Sequence, residues 1–146
     1  MARRAFDGFS IELPAGWRVA EDDATFSDPE QPPPVTFAHD AGGALQVQPL
    51  FYQEHDQPGH DLADAEELAH AWGVQRGFDK PLAASSHARD DGALANARFR
   101  LGGDHIEIWF LTSGDAVLHA SFVCPWADRE GRRADLDALV ASLRFA

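Results

Sequence analysis

One cysteine, Cys124, stands among 146 residues, so no intrachain disulfide is available and a disulfide-stapled scaffold is excluded. No apolar run approaches the roughly 20 residues that a membrane-spanning helix needs. The opening MARRAFDGFSIEL has two arginines and passes straight into a strand-like alternation. It contains neither the continuous apolar segment nor the small-residue cleavage site of an export signal, and a cytoplasmic location is the expectation. Basic clusters are scarce as well. Arg129, Arg132 and Arg133 form the one group, and Asp128, Glu130, Asp135 and Asp137 surround it. Counterion-release binding to nucleic acid needs more than that, and no nucleic-acid partner is expected.

Signatures of catalysis are equally thin. There is no G-x-S-x-G elbow, and Ser85-Ser86-His87 reads as a loop-like run. Cys124 and His119 are five residues apart in one strand pattern, which puts them on opposite faces and rules out a local thiolate–imidazole couple. Gly42-Gly43 and Gly102-Gly103 are hairpin glycines without the strand–loop–helix setting of a phosphate cradle. Glu54, His55, Asp56, His60, Asp61 and Asp64 gather around a Pro-Gly turn. They include no HExxH, HxH or CxxC pair, so neither a dedicated metal site nor another cofactor is expected. Paired acids such as Glu21-Asp22-Asp23 and Asp90-Asp91 read as solvated neighbours rather than as a general acid and its partner.

What is present is an ordinary apolar fraction of 45% and a strong negative balance, −12 overall. Those values fit a soluble single domain spanning residues 1–146, with a real core. The charge is uneven: residues 1–77 carry 14 acids and 4 bases, residues 78–146 carry 10 and 8. An acidic first half suits a basic protein partner.

Phe9, Ile11 and Leu13 alternate with polar residues up to Pro14-Ala15-Gly16, and Trp17 and Val19 resume the alternation. Short strands are expected at 24–27, 35–38 and 44–48, separated by Asp28-Pro29, the triple proline 32–34 and Gly42-Gly43. Asp61 opens a helix as its N-cap, with Asp64 at the third position, Leu62, Ala65, Leu68, Ala69 and Trp72 at helical spacing and Gly77 closing it. A meander follows at 93–101, 104–112 and 116–124. A final helix from Arg132 to Leu143 aligns Leu136, Leu139, Val140 and Leu143. Strands, helix, strands, helix is the order of an α+β domain with an antiparallel sheet.

Register can be read from side-chain chemistry, since a slip of one residue exchanges the faces. A two-residue turn at Gly102-Gly103 sets Phe99 against Ile106, Ala97 against Ile108 and Ala95 against Phe110. A three-residue turn at Ser113–Asp115 sets Phe110 against Leu118 and Ile106 against Phe122. The two-residue alternative opposes Phe110 to His119 and is rejected on that ground. The remaining face then holds Asn96, Arg98, Arg100, His105, Glu107, Trp109 and His119, with Arg98 across from Glu107. The expectation is a partly solvated recognition face, on which Trp109 and Glu107 could be replaced without loss of stability.

Phe9-Ser-Ile-Glu-Leu-Pro-Ala-Gly-Trp17 resembles the first strand and turn of the PsbP/DcrB-like proteins of Mog-type fold, which close that strand with Leu-Pro-x-x-Trp. The likeness continues through the strand at Ala44–Gln48, the helix from Asp61, Trp109-Phe110-Leu111 in the meander, and the closing Ser142-Leu143-Arg144-Phe145. It implies a curved antiparallel sheet of about six to seven strands flanked by two main helices. It also implies a non-enzymatic, bacterial protein-binding module, with an accessory, chaperone or immunity-like role of the kind linked to type VI secretion. The family pattern supplies no catalytic residue. The alternative is a small-molecule or hydrolytic site in a pocket near Glu107 and His119.

Overall fold

A computed structural model describes residues 3–20, 33–52, 57–78, 80–113 and 116–146. Its strands are β1 (Arg3–Phe6), β2 (Phe9–Glu12), β3 (Trp17–Ala20), β4 (Val35–His39) and β5 (Ala44–Phe51), followed by helix α1 (Leu62–Gln75). Then come β6 (Ala83–Arg89), β7 (Gly92–Leu101), β8 (Asp104–Thr112), β9 (Ala116–Pro125), helix α2 (Arg133–Ser142) and the short β10 (Arg144–Phe145). Seven strands form one antiparallel sheet in the order β3-β4-β5-β9-β8-β7-β6. The other three form a small sheet, β1-β2-β10. The expected strand at 24–27 lies outside the described residues.

The central strands of the large sheet are buried on both faces, by different layers. On one side α1 lays Ala65 and Ala69 on the small residues Ala93, Ala95 and Ala97, with Phe99, Ile108 and Phe110 beside them. Alanines on both partners let the helix approach the sheet closely. On the other side α2 inserts Leu136, Leu139, Val140 and Leu143 against Trp109, Leu111, Leu118 and Phe122. The small sheet continues that layer, with Phe6, Phe9 and Phe37 clustered at centroid distances of 5.2–6.5 Å. The Trp17 indole reaches across to donate to Asp135 of α2 at 2.9 Å, tying β3 to the helix.

The helix ends follow the sequence. The Asp64 carboxylate accepts the Asp61 N–H at 3.0 Å, half of a capping box. At the other end Phe78 N–H reaches the Gly73 carbonyl and Gly77 N–H reaches the Val74 carbonyl. That is a Schellman closure, and Gly77 takes the positive φ, +78°, that it requires.

The first hairpin of the meander has the expected register, Phe99 opposite Ile106 and Arg98 opposite Glu107. The second does not. Phe110 lies opposite His119, Glu107 opposite Phe122 and Trp109 opposite Ala120, the two-residue-turn register. The three-residue expectation assumed that one face of the sheet met water. With both faces buried, a histidine opposite a phenylalanine is no penalty: the rings of His119 and Phe110 stack at 4.3 Å. Three strands are also missing from the sequence reading, β1, β6 and β10. The loop-like run at Ser85–His87 is the middle of β6, an exposed edge strand of Ala and Ser with no apolar alternation to reveal it.

The β6–β7 turn imposes a sharp steric limit. Gly92 has φ +150°, and a Cβ there would lie 2.0 Å from the Thr112 carbonyl oxygen. Gly102, φ +59°, has open space around it. Gly92→Ala is expected to cost about 3 kcal/mol, and Gly102→Ala only the left-handed backbone penalty of about 1 kcal/mol. Equilibrium urea unfolding of the two variants checks the ranking.

Candidate functional site

Glu107 is the centre of the polar structure. Its β8 position points into the α2 face, where the residue is 0% exposed. A bare carboxylate there would be costly, and four groups compensate it. Arg133, the first residue of α2, grips both carboxylate oxygens, with Nη1 donating to Oε2 at 2.9 Å and Nη2 donating to Oε1. Arg98 on β7 approaches to 3.4 Å. Asn96 Nδ2 donates at 3.0 Å and also to the Ile108 carbonyl. His105 Nε2 lies 3.1 Å away, and because a carboxylate only accepts, that nitrogen carries the hydrogen. Burial pushes the Glu107 carboxyl up, but the Arg133 hydrogen bond, the charges of Arg133 and Arg98 and the His105 contact together hold it below the usual carboxylate range. The Arg133 guanidinium is held more firmly protonated in return, first by its hydrogen bond to Glu107. This carboxylate is fixed in its ionised form.

Next to this cluster, a cavity of about 600 Å³ opens between α2 and strands β6, β7 and β8. Asn96, Arg98, Glu107 and Trp109 contribute to its lining, with Leu94 beside them. Its other wall is Asp137, Val140 and Ala141 of α2, and Arg144 after it. Ser85, His87 and Arg89 of β6 and the turn acids Asp90 and Asp91 complete the rim. Arg89 joins the two walls. Its guanidinium takes the Asp91 carboxylate in a fork, at 3.0 and 3.1 Å, and donates to the Val140 and Leu143 carbonyls at the end of α2.

The seven residues expected to share one face are therefore distributed among three surroundings. Asn96, Arg98, Glu107 and Trp109 border the cavity, and His105 stands behind Glu107. Arg100 lies apart from them, its guanidinium 4.4 Å from the ring centroid of Trp126. His119 is on the opposite face, beside α1. Nor is the shared face a solvated one: His105 is 3% exposed and Trp109 5%. The one-residue slip of β9 and the docking of α2 are the physical reasons. Sequence reasoning overlooked Ser85, His87, Asp90, Asp91 and Asp137 as rim residues, and Arg133 as the partner of Glu107. Arg133 was visible only as part of a mixed-charge cluster.

His119 is a packing residue. It stacks on Phe110 and stands 6.2 Å from Trp72, and its Nδ1–H donates to the Trp109 carbonyl at 3.3 Å. Burial pushes its pKa down from 6.5 to about 4; the Trp109 carbonyl opposes that and the Arg76 charge adds to it. Glu107 and His119 lie on opposite faces of the sheet. Cys124 is buried beside Phe122 in the α2-side core, and burial raises its thiol pKa. Of the candidate metal ligands, Glu54, His55 and Asp56 lie outside the described residues, while the side chains of His60 and Asp61 are 73% and 80% exposed.

Two stability predictions follow from these environments. Glu107→Gln strands two guanidinium groups and is expected to cost roughly 3 kcal/mol, the low end for a broken buried pair because both arginines keep some solvent. Trp109→Ala is expected to cost about 3–5 kcal/mol. Denaturant unfolding measures both, and parent-like stability in either variant would mean that the residue is not packed. For His119, the unfolded chain takes up its proton near pH 6.5 and the folded chain near 4, so this contribution is complete above pH 6.5. It falls away as pH drops toward 4, by about 3 kcal/mol in all. His119→Phe should flatten that part of the stability–pH curve; a slope unchanged from the parent would assign it to other groups.

No protein-family model matches the sequence, and no curated protein matches it. Among solved structures, the chain is similar to cyanobacterial PsbP from Synechocystis sp. PCC 6803, whose solution structure superposes with a TM-score of 0.69 at 14% identity. That match covers 99% of this chain and 92% of the PsbP chain. A crystal structure of a protein from Bacteroides thetaiotaomicron VPI-5482 superposes with a TM-score of 0.55 at 15% identity, over 94% of this chain and 45% of that one. Identities this low concern the fold alone. A seven-stranded antiparallel sheet between α1 on one side and α2 with a small sheet on the other is, then, a PsbP-like α+β fold.

Proposed function

We propose that this chain is a protein-binding domain rather than an enzyme, and that it engages its partner at the cavity between β6–β8 and α2. The observation that carries this reading is the state of Glu107. It is the best-placed acid of the cavity, yet it is ionised and engaged by Arg133, Arg98, His105 and Asn96, which leaves it no proton to give. General acid or base work needs a carboxyl poised to change state, and this one is arranged against changing. A cavity that sets Leu94, Trp109 and Val140 beside Asp90, Asp91 and Asp137 has instead the mixed apolar and charged character of a recognition site.

The acids favour a basic partner segment, as does the −12 balance of the chain. An accessory, chaperone or immunity-like role, of the kind linked to type VI secretion, is the form of this proposal that the DcrB- and Mog-like resemblance supports. A cytoplasmic setting, compatible with the one buried thiol, belongs to the same proposal. A second reading, a small polar ligand in the same cavity, draws support from its volume, which is in the range of small-molecule sites.

Selection of random twelve-residue peptides against the immobilised chain at about 0.15 M salt tests the first reading. The expected peptides are rich in Arg and Lys, and lose at least ten-fold in affinity when the rim is reversed by Asp90→Arg with Asp137→Arg. Both positions are exposed, so the melting temperature should stay within about 2 °C of the parent. Neutral peptides, or peptides indifferent to the reversal, would sink the proposal.

A further inference from the structure

Among the described residues, the end strand β6 has no strand paired with its outer edge. It pairs with β7 on one side, and it is the last of the seven strands. Natural edge strands are usually shielded by lysine, proline, a bulge or brevity. β6 reads AASSHAR over seven residues, with no lysine or proline, and most of it is exposed. Its one strong charge, Arg89, is already held by Asp91 and the α2 carbonyls.

Each face of this edge opens on a cavity. Ser85 and His87 pair with Asn96 and Leu94, so they share the α2 face and border the 600 Å³ cavity. Ala84 and Ser86 pair with Ala97 and Ala95 on the α1 face, where they border a second cavity of about 390 Å³ with Glu66, His70 and Phe99. A strand laid against β6 would alternate its side chains between the two. Each cavity also presents an acid that makes no ion pair among the described residues. Among the described residues Asp90 has no ion pair, and Glu66 has only the Ser86 hydroxyl as a hydrogen-bond donor. Asp137 adds a third acid, 3.5 Å from Arg133 and 65% exposed.

We infer that the partner binds as an additional β-strand on β6: an extended, basic segment of another protein that sends alternate side chains into the two cavities. Main-chain hydrogen bonds would supply affinity and the cavities specificity, the general logic of strand addition. Seven residues of strand span about 23 Å, so the matching segment is about seven residues long. A second copy of this chain is a poorer occupant, because two chains of net charge −12 repel. This inference rests on the protein-binding reading above and goes on to specify how the partner docks.

Its test uses the selected peptides, resynthesised with backbone N-methyl groups on every second residue, in the two alternate phases. In an added strand, successive N–H groups point alternately toward and away from the neighbour. One phase is therefore expected to lose at least ten-fold in affinity and the other little. Amide exchange over residues 83–89 should slow by a similar factor when unmodified peptide is bound. Equal affinity of the two phases, with exchange over 83–89 unchanged, overturns strand addition and leaves peptide binding standing. If no peptide depends on Asp90 and Asp137, the protein-binding reading itself falls. Dimerisation that rises with protein concentration and protects 83–89 without peptide would make a second copy the occupant.

Discussion

The central strands of the seven-stranded sheet are covered on both broad faces, and this constraint orders the rest of the molecule. Alanines of α1 close one side, and the leucine stripe of α2 with the aromatic cluster of the small sheet closes the other. Polar residues that the strand alternation sends to these faces must find partners inside the protein. Glu107 finds four, and His119 gives up its charge to stack on Phe110. Because the faces are used up, interaction surfaces are left to the edge and to the rims where the covering layers stop. The two cavities flank β6, one on the α2 side and one on the α1 side.

Much of this architecture was legible in the sequence. The helix at 62–75 announced itself by apolar spacing, an acidic cap and a closing glycine. The stripe Leu136, Leu139, Val140, Leu143 gave α2 and its buried face. The Gly102-Gly103 turn fixed one hairpin, because it set Phe99, Ala97 and Ala95 against Ile106, Ile108 and Phe110, and Arg98 against Glu107. The Leu-Pro-x-x-Trp opening pointed to the PsbP-like fold.

The candidate site was less legible, for a physical reason. Register arguments distinguish a wet face from a dry one, and along most of β8 and β9 both faces are dry. The β8–β9 pairing was consequently misread by one residue, which placed His119 with Trp109 and Glu107 when it faces α1. The edge strand carried no signal at all. Ala83, Ala84, Ser85 and Ser86 are too small and too exposed to show a hydrophobic period, and the site is built around them. Arg133 could not be matched to Glu107 from spacing, since 26 residues of chain separate them and only the docking angle of α2 brings them together.

Arg89 gives the cavity a property that neither wall has alone. One guanidinium clasps the β6–β7 turn through Asp91 and the last carbonyls of α2 through Val140 and Leu143. Leu143 leads directly into β10, which pairs with β2. A single side chain thus spans the opening, joining the sheet edge to the point where α2 ends and the small sheet begins.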